Sequence, residues 1–493
     1  MARLLLRKIS TMEPIASSSA IDFPQEFVKF LNEAHSPYHT VHVMKRQLLE
    51  NGFKELQESK TWARSLHADG KYFVTRNNSS IIAFSVGGKF SPGNPIAIIG
   101  GHTDSPTLRV KPISKRTNEK YSQVGVECYG GGIWHSWFDS DLSVAGRVFV
   151  KTADGGSEAK LVDLKRPLLK IPTLAIHLDR EVNQKFEFNK ETQLLPVSGM
   201  ADLDLSDKKK AVDDEPFSSL KSIVQRHNED FLDLIAQKLD LKSVSEIEDF
   251  ELILYDFAAS TLGGVRDEFV FSGRLDNLTS CFTGLHGLLL SSDESLAAET
   301  GIRLLACFDH EEVGSSSAQG ADSNFLPNII ERLSSAVSYT TTDDKLKGKN
   351  FLLETYAKSF FLSSDVAHAV HPNYAGKHES QHKPVIGAGP VIKINANQRY
   401  MTNSPGLVLL KKVADSANVP LQLFVAANNS PCGSTIGPIL ASKTGIRTLD
   451  IGNPILSMHS IRETGGSADL KYQIDLFKEF LKQYSVLSEK INV

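Results

Sequence analysis

The chain has 493 residues, room for two to four domains at roughly 150 residues each. Its 41% hydrophobic and 23% charged content is that of an ordinary globular protein with a large apolar core. A formal net charge of −4 argues against a nucleic-acid or membrane-surface binder.

The N-terminal stretch MARLLLRKISTM is basic and carries no acid before Glu13. Residues 1–21 are expected to be a disordered leader in a cytoplasmic protein, with an organelle transit peptide as the other reading. Residues 22–60 read as helical, because Phe23, Phe27, Phe30 and Leu31 recur at helical spacing. Short apolar runs at 81–86 and 95–100 read as strands, the second leading into GHTDSP. From 107 to 250 the texture changes. Strand-like pieces at 145–151, 159–163 and 173–178 alternate with Gly-rich and charged turns, and the polar run 201–216 reads as a surface loop. Cys128, Cys281, Cys307 and Cys432 are dispersed and form no CxxC pair, so neither a disulfide framework nor a thiolate zinc site is expected. No apolar run approaches the ~18 residues of a transmembrane helix.

Beyond residue 250, strands at 251–257, 269–272, 302–308, 359–363, 390–395, 421–427 and 446–451 alternate with helices at 277–290, 324–337, 405–416 and 468–487. This alternation predicts an α/β fold, a mainly parallel sheet covered on both faces. The early strands join that sheet, and 107–250 is an insertion. The expected division is therefore a leader, a discontinuous catalytic domain of 22–106 plus 251–493, and an inserted domain of 107–250.

In open α/β sheets, sites form beyond the carboxyl ends of strands. His102 and Asp104 follow the strand at 95–100, and Asp276 of RLDN follows 269–272. Glu311 and Glu312 of DHEEVG follow 302–308, Asp365 follows 359–363, and His459 comes eight residues after 446–451. Five strand ends each deliver a carboxylate or an imidazole. The set holds oxygen and nitrogen without sulfur, which suits zinc. Two metals about 3.5–4 Å apart need a shared carboxylate, and a remaining one is then free as general base. Singly, each motif has a bland reading: HTD as a polar turn, Asp276 as a helix N-cap, the glutamate pair as a solvated face. His368, His371, His378 and His382 crowd the segment 365–382, where Pro372 argues against a continuing helix. A His-rich tract can itself bind metal, but they read as pocket residues or supports behind the ligands more often than as ligands. Lys393 shares a strand face with Val391 and Asn395, either as an edge lysine in water or as a cation in the pocket. His177 in TLAIHL reads as a core histidine or as a functional one.

GHTDSP, RLDN, the EEVGS-SAQG stretch, SSDVAHAVHPNY, VIKINANQRY and MHSIRE occur in that order between residues 101 and 463, within a match that runs from about residue 22 to near the C-terminus. Together they resemble the M18 metallopeptidases, the aspartyl aminopeptidases. The resemblance implies an α/β/α sandwich catalytic domain of the zinc-exopeptidase kind with an inserted β-rich dimerisation domain. It implies two zinc ions per subunit, one on His102 and Asp365, the other on Glu312 and His459, with Asp276 bridging. Glu311 would be the general base, and Asp104 would orient His102. Lys393, Tyr400 and His382 would receive the substrate, Lys393 pairing with an acidic first side chain. His177 would reach the active site of a neighbouring subunit. The implied reaction releases N-terminal Asp or Glu from peptides, in a tetrahedral homododecamer with an internal chamber and without nucleic-acid or membrane partners. His310, ahead of the glutamates, departs from the pattern of other members. The rival readings are a two-zinc exopeptidase of other specificity and a catalytically silent zinc-stabilised assembly or cargo protein.

Overall fold

The computed structural model describes residues 21–62, 65–201, 220, 222–340 and 351–491. Residues 1–20 of the expected leader and nearly all of the loop at 201–216 lie outside the described residues. Alternation along the strand Ile96–His102 decides the layering. Ala97 and Ile99 enter one apolar core, while Ile96 and Ile98 enter another on the opposite face. Burial on both faces is what a central strand of a parallel sheet requires. This strand sits inside a nine-stranded sheet, ordered Lys54–Glu55, Lys71–Arg76, Ser80–Val86, Ile302–Phe308, Ile96–His102, Phe360–Ser364, Arg447–Gly452, Val391–Ile394, Gln422–Val425. The four strands Ile302–Phe308, Ile96–His102, Phe360–Ser364 and Arg447–Gly452 are mutually parallel, so their carboxyl ends emerge along one edge. Antiparallel neighbours flank them, Ser80–Val86 on one side and Val391–Ile394 on the other.

Helices Phe23–Glu33, Pro37–Glu50, Leu275–Ser291, Ser404–Ala417 and Ser467–Ser488 pack into the first core. Phe325–Thr340 and Ile436–Thr444 pack into the second. The helical reading of 22–60 resolves into two helices followed by the short strand Lys54–Glu55. The break lies at Ser36-Pro37: Ser36 caps the second helix by accepting the His39 amide, and Pro37 occupies its first turn, where no amide hydrogen is needed.

A second sheet is antiparallel and closes on itself, because Ile247–Asp256 pairs with both Thr107–Asn118 and Asp141–Lys151. It surrounds its own core, with Leu108, Val126, Trp137, Leu142 and Leu252 among the buried residues. The strand expected at 251–257 thus belongs with the inserted strands, and their sheet extends past residue 250 to Asp256. The run 173–178 forms no strand. Its alternating Leu174, Ile176 and Leu178 are 56%, 44% and 74% exposed and have no partner strand among the described residues. A small third sheet joins Thr261–Gly263, Phe269–Ser272, Glu463–Gly466, Pro454–Leu456 and Ala367–His368, which moves Phe269–Ser272 out of the main sheet. No helix among the described residues is long and apolar enough to cross a membrane.

Candidate metal centre

The site grows from the carboxyl edge of the four parallel strands. One strand ends on His102 itself. Ile302–Phe308 runs on into the single turn Glu311–Val313. Phe360–Ser364 hands over to Asp365, and the chain after Arg447–Gly452 passes through Pro454–Leu456 to reach His459. Asp276 comes from the first turn of Leu275–Ser291, entered from the small sheet. His310 and His459 both have φ of +66°, a left-handed conformation that side chains other than glycine enter rarely and that clusters at functional sites.

Asp276 stands between the two imidazoles. Its Oδ1 lies 3.3 Å from His102 Nε2, and its Oδ2 lies 3.1 Å from His459 Nε2. His102 Nε2 also faces Asp365 at 3.8 Å and Glu311 at 3.9 Å, and His459 Nε2 faces Glu312 at 3.6 Å. Three overlapping groups therefore have spacing fit for a cation: His102 with Asp276 and Asp365; Asp276 with Glu312 and His459; and His102 with Glu311 and Glu312.

The donor chemistry fits a metal. His102 Nδ1 is 3.0 Å from the Asp104 carbonyl, and His459 Nδ1 is 3.1 Å from the Gly131 carbonyl. Those bonds assign the ring hydrogen to Nδ1 and leave each Nε2 lone pair turned toward carboxylate oxygens. Such an arrangement repels unless a proton or a cation lies between. Asp276 Oδ1 and Glu312 Oε1 are buried and receive no hydrogen bond from the described residues, an expense that a bound cation would remove. The charges respond accordingly. Burial opposes charge on His459, but Asp276 and Glu312 outweigh it and push the imidazole up to about 10. Burial, with Asp365, Asp104 and Asp276 adding to it against the opposite pull of His102, pushes Glu311 up to about 8.

The cleft over this cluster also takes in Lys393 and Tyr400. Lys393 is 2% exposed, and its Nζ lies 3.5 Å from Asp365, 3.2 Å from the Val366 carbonyl and 5.0 Å from the Tyr400 ring centre. A side pocket holding His371, His378 and Phe424 adjoins the cleft through His368 and Met458. His382 and His177 do not line the cleft: His382 bonds Glu379, and His177 lies on an exposed turn of the inserted region. Asp104 meets His102, the contact expected of it, and holds other groups as well. Its main-chain carbonyl is nearer His102 Nδ1 than its carboxylate, which lies 3.5 Å away. The carboxylate also accepts the amides of Glu311 and Glu312, each at 3.1 Å, and the Tyr129 hydroxyl at 2.6 Å.

Glu463 was not singled out by sequence reasoning, although it ends the MHSIRE motif. It is buried, and its two oxygens accept the His459 amide at 2.8 Å and the Asp276 amide at 3.1 Å. Tyr129 and Gly131 carry no local sequence signal, because their partners come from the other sheet.

A buried nitrogen and oxygen cluster at the carboxyl edge of an α/β sheet, open to a cleft with one buried cation, defines a metal-dependent hydrolase site. Comparison with known proteins agrees. A model of the family described as aminopeptidase I zinc metalloprotease (M18) matches residues 30–481. An aspartyl aminopeptidase 4 of Saccharomyces cerevisiae is 68% identical, covering 100% of both chains. An aspartyl aminopeptidase of Aspergillus oryzae is 52% identical over 95% of this chain and 97% of its own. Among solved structures, a cryo-EM structure of a complex of Ape4 and Nbr1 aligns at TM-score 0.88 and 47% identity, over 96% of this chain and 87% of that one. The mApe1 dodecamer of S. cerevisiae aligns at TM-score 0.81 and 29% identity, over 95% and 98%. The chain belongs to the M18 family of zinc metallopeptidases.

Proposed function

We propose that the protein releases N-terminal Asp or Glu from peptides, with two zinc ions per subunit held by His102, Asp276, Glu312, Asp365 and His459. The observation that carries the substrate class is Lys393, a buried ammonium beside the cluster and open to the same cleft. A buried charge is costly unless it meets an opposite one. Asp365 answers it in this structure; with Asp365 engaged by zinc, the substrate's acidic side chain takes over that role.

Bound zinc supplies Lewis-acid activation of water and of the scissile carbonyl. Glu311 removes the proton as water adds to the carbonyl carbon, then returns it to the leaving amine as the C–N bond breaks. Asp104 holds the Glu311 and Glu312 amides and so sets the direction of both side chains. Lys393 pairs with the substrate carboxylate, backed by the Tyr400 ring.

The domain reading follows three cores: two on the faces of the main sheet, which make an α/β/α catalytic unit, and one within an inserted unit at 107–250, its boundary carried to Asp256 by strand pairing. Exposed Leu174, Ile176 and Leu178 around His177 suit a face covered by another copy. On that basis the insert dimerises, His177 serves a neighbour's cleft, and the assembly is the tetrahedral dodecamer, as the dodecameric relative suggests. Four free cysteines fit work in the cytoplasm.

The test is a steady-state panel of N-terminal residues run with and without zinc removal. Asp and Glu peptides are expected to exceed Leu peptides by at least about 100-fold in kcat/KM. Lys393→Met should erase that preference while zinc content stays unchanged. Equal rates on Asp and Leu peptides would reject the acidic pocket.

A further inference from the structure

The segment from Tyr129 to Ile133 belongs to the inserted sheet's hairpin and its exit, yet it touches both halves of the metal centre. Tyr129 ends the strand Tyr121–Tyr129. Its hydroxyl donates to Asp104 Oδ2 at 2.6 Å, the same carboxylate that receives the Glu311 and Glu312 amides. Arg109 stacks its guanidinium 3.9 Å from the Tyr129 ring centre and holds the ring in place. Two residues on, the Gly131 carbonyl accepts His459 Nδ1 at 3.1 Å, and the Ile133 amide donates to the His459 carbonyl at 2.9 Å. Between these contacts, Gly130 has φ of +75°, and a Cβ there would lie 3.1 Å from Glu312 Cβ. The backbone therefore passes as close to Glu312 as glycine allows.

We propose that this strap from the inserted domain positions the metal centre. Tyr129 is a positioning residue for Glu311 and Glu312 through Asp104, and the Gly131 carbonyl fixes the ring orientation of His459. Hydrogen bonds behind metal ligands orient them and typically carry 10–100-fold in affinity or activity. The inserted domain thereby becomes a condition for loading the site as well as an assembly module. This inference rests on the two-zinc peptidase reading above.

The experiment uses full-length protein with Tyr129→Phe, which keeps the stacked ring and removes only the hydroxyl. Tyr121→Phe, the same change at an exposed position of the same strand, is the control. In a chelator-competition titration, Tyr129→Phe is expected to bind zinc about 10–100-fold more weakly. Saturated with zinc, it should show kcat on an Asp peptide reduced about tenfold or more, with KM within about twofold. Tyr121→Phe should match the unsubstituted protein in both. Gly130→Ala gives an independent reading: its methyl is directed at Glu312, so one of two zinc sites should weaken more than the other. Unchanged zinc affinity and kcat in Tyr129→Phe would overturn the proposal. So would a loss of activity matched by a lower Tm and an equal rise in KM, or uniform zinc affinities in Gly130→Ala. Absence of Asp-peptide cleavage in the unsubstituted protein is a different result: it sinks the peptidase reading, while the zinc titration still judges the strap.

Discussion

Glu311 and Glu312 are adjacent on one short turn, yet their carboxylates face different imidazoles, His102 and His459. Both amides rest on one buried carboxylate, Asp104, so the two side chains diverge from a fixed pivot. Glu312 lies within the group formed with Asp276 and His459, and both glutamates share a further group with His102; the proposed mechanism gives Glu311 the work of the base. Glu311→Gln keeps the shape and loses only the proton acceptor. It is expected to retain zinc within about twofold and to lose about 10²–10⁴-fold in kcat, read by metal analysis alongside steady-state kinetics. Substantial remaining turnover would remove Glu311 from that role. The ligand candidates were legible in the sequence because each is an ionisable residue that follows an apolar strand, His459 at a distance of eight residues and the others closely. Glu463 was less so: it works through the amides of Asp276 and His459, and nothing in its neighbours announces that. Asp104 was legible as a participant, but the division of work between its carbonyl and its carboxylate depends on the fold of the turn.

At the scale of elements, the apolar runs revealed strands well and their partners poorly. Ile96–His102, Ile302–Phe308 and Phe360–Ser364 fall within a residue or two of expectation because they are buried on both faces. Ile247–Asp256 has the same texture but pairs in the other sheet, since an apolar run specifies burial and not a neighbour. The stretch around His177 shows the reverse error, alternation without a strand. Close approaches between elements were equally invisible. Gly452 ends Arg447–Gly452 where a Cβ would sit 1.8 Å from the Asp365 carbonyl oxygen and 2.4 Å from its carbon. Those are backbone atoms and cannot rotate aside, so the strand carrying Asp365 would have to move. Gly452→Ala should cost about 3 kcal/mol of stability and should weaken zinc retention through displaced Asp365. Urea unfolding and metal content measure the two effects, and a variant as stable and as zinc-rich as the original would contradict the packing argument.

Across the whole molecule, acid sensitivity is distributed among buried histidines outside the metal centre. His39, His227 and His286 are each lowered to about 4, chiefly by burial. Their positions span both units: the helix Pro37–Glu50, the chain just after Ile223–Arg226 in the inserted core, and the helix Leu275–Ser291. The unfolded chain takes up these protons near 6.5, whereas the fold resists until about 4. Stability from each is therefore fully present above 6.5 and lost as pH falls toward 4. Each contributes at most about 1.4 kcal/mol per pH unit in that window. Three together are comparable with the 5–15 kcal/mol that holds a typical domain. His286 isolates the effect, because its ring packs 4.3 Å from Phe282 and 5.4 Å from Phe23, and its Nε2 has no hydrogen-bond partner among the described residues. His286→Leu removes one resisting proton site from an apolar setting. Its stability relative to the original should rise as pH drops, by about 1.4 kcal/mol per unit between 6.5 and 4. Zinc release at low pH affects both proteins alike and cancels in the difference. Urea unfolding at pH 7, 6 and 5 reads it directly: a constant offset would mean that His286 titrates in the folded protein as it does in the unfolded chain, and that acid sensitivity arises elsewhere.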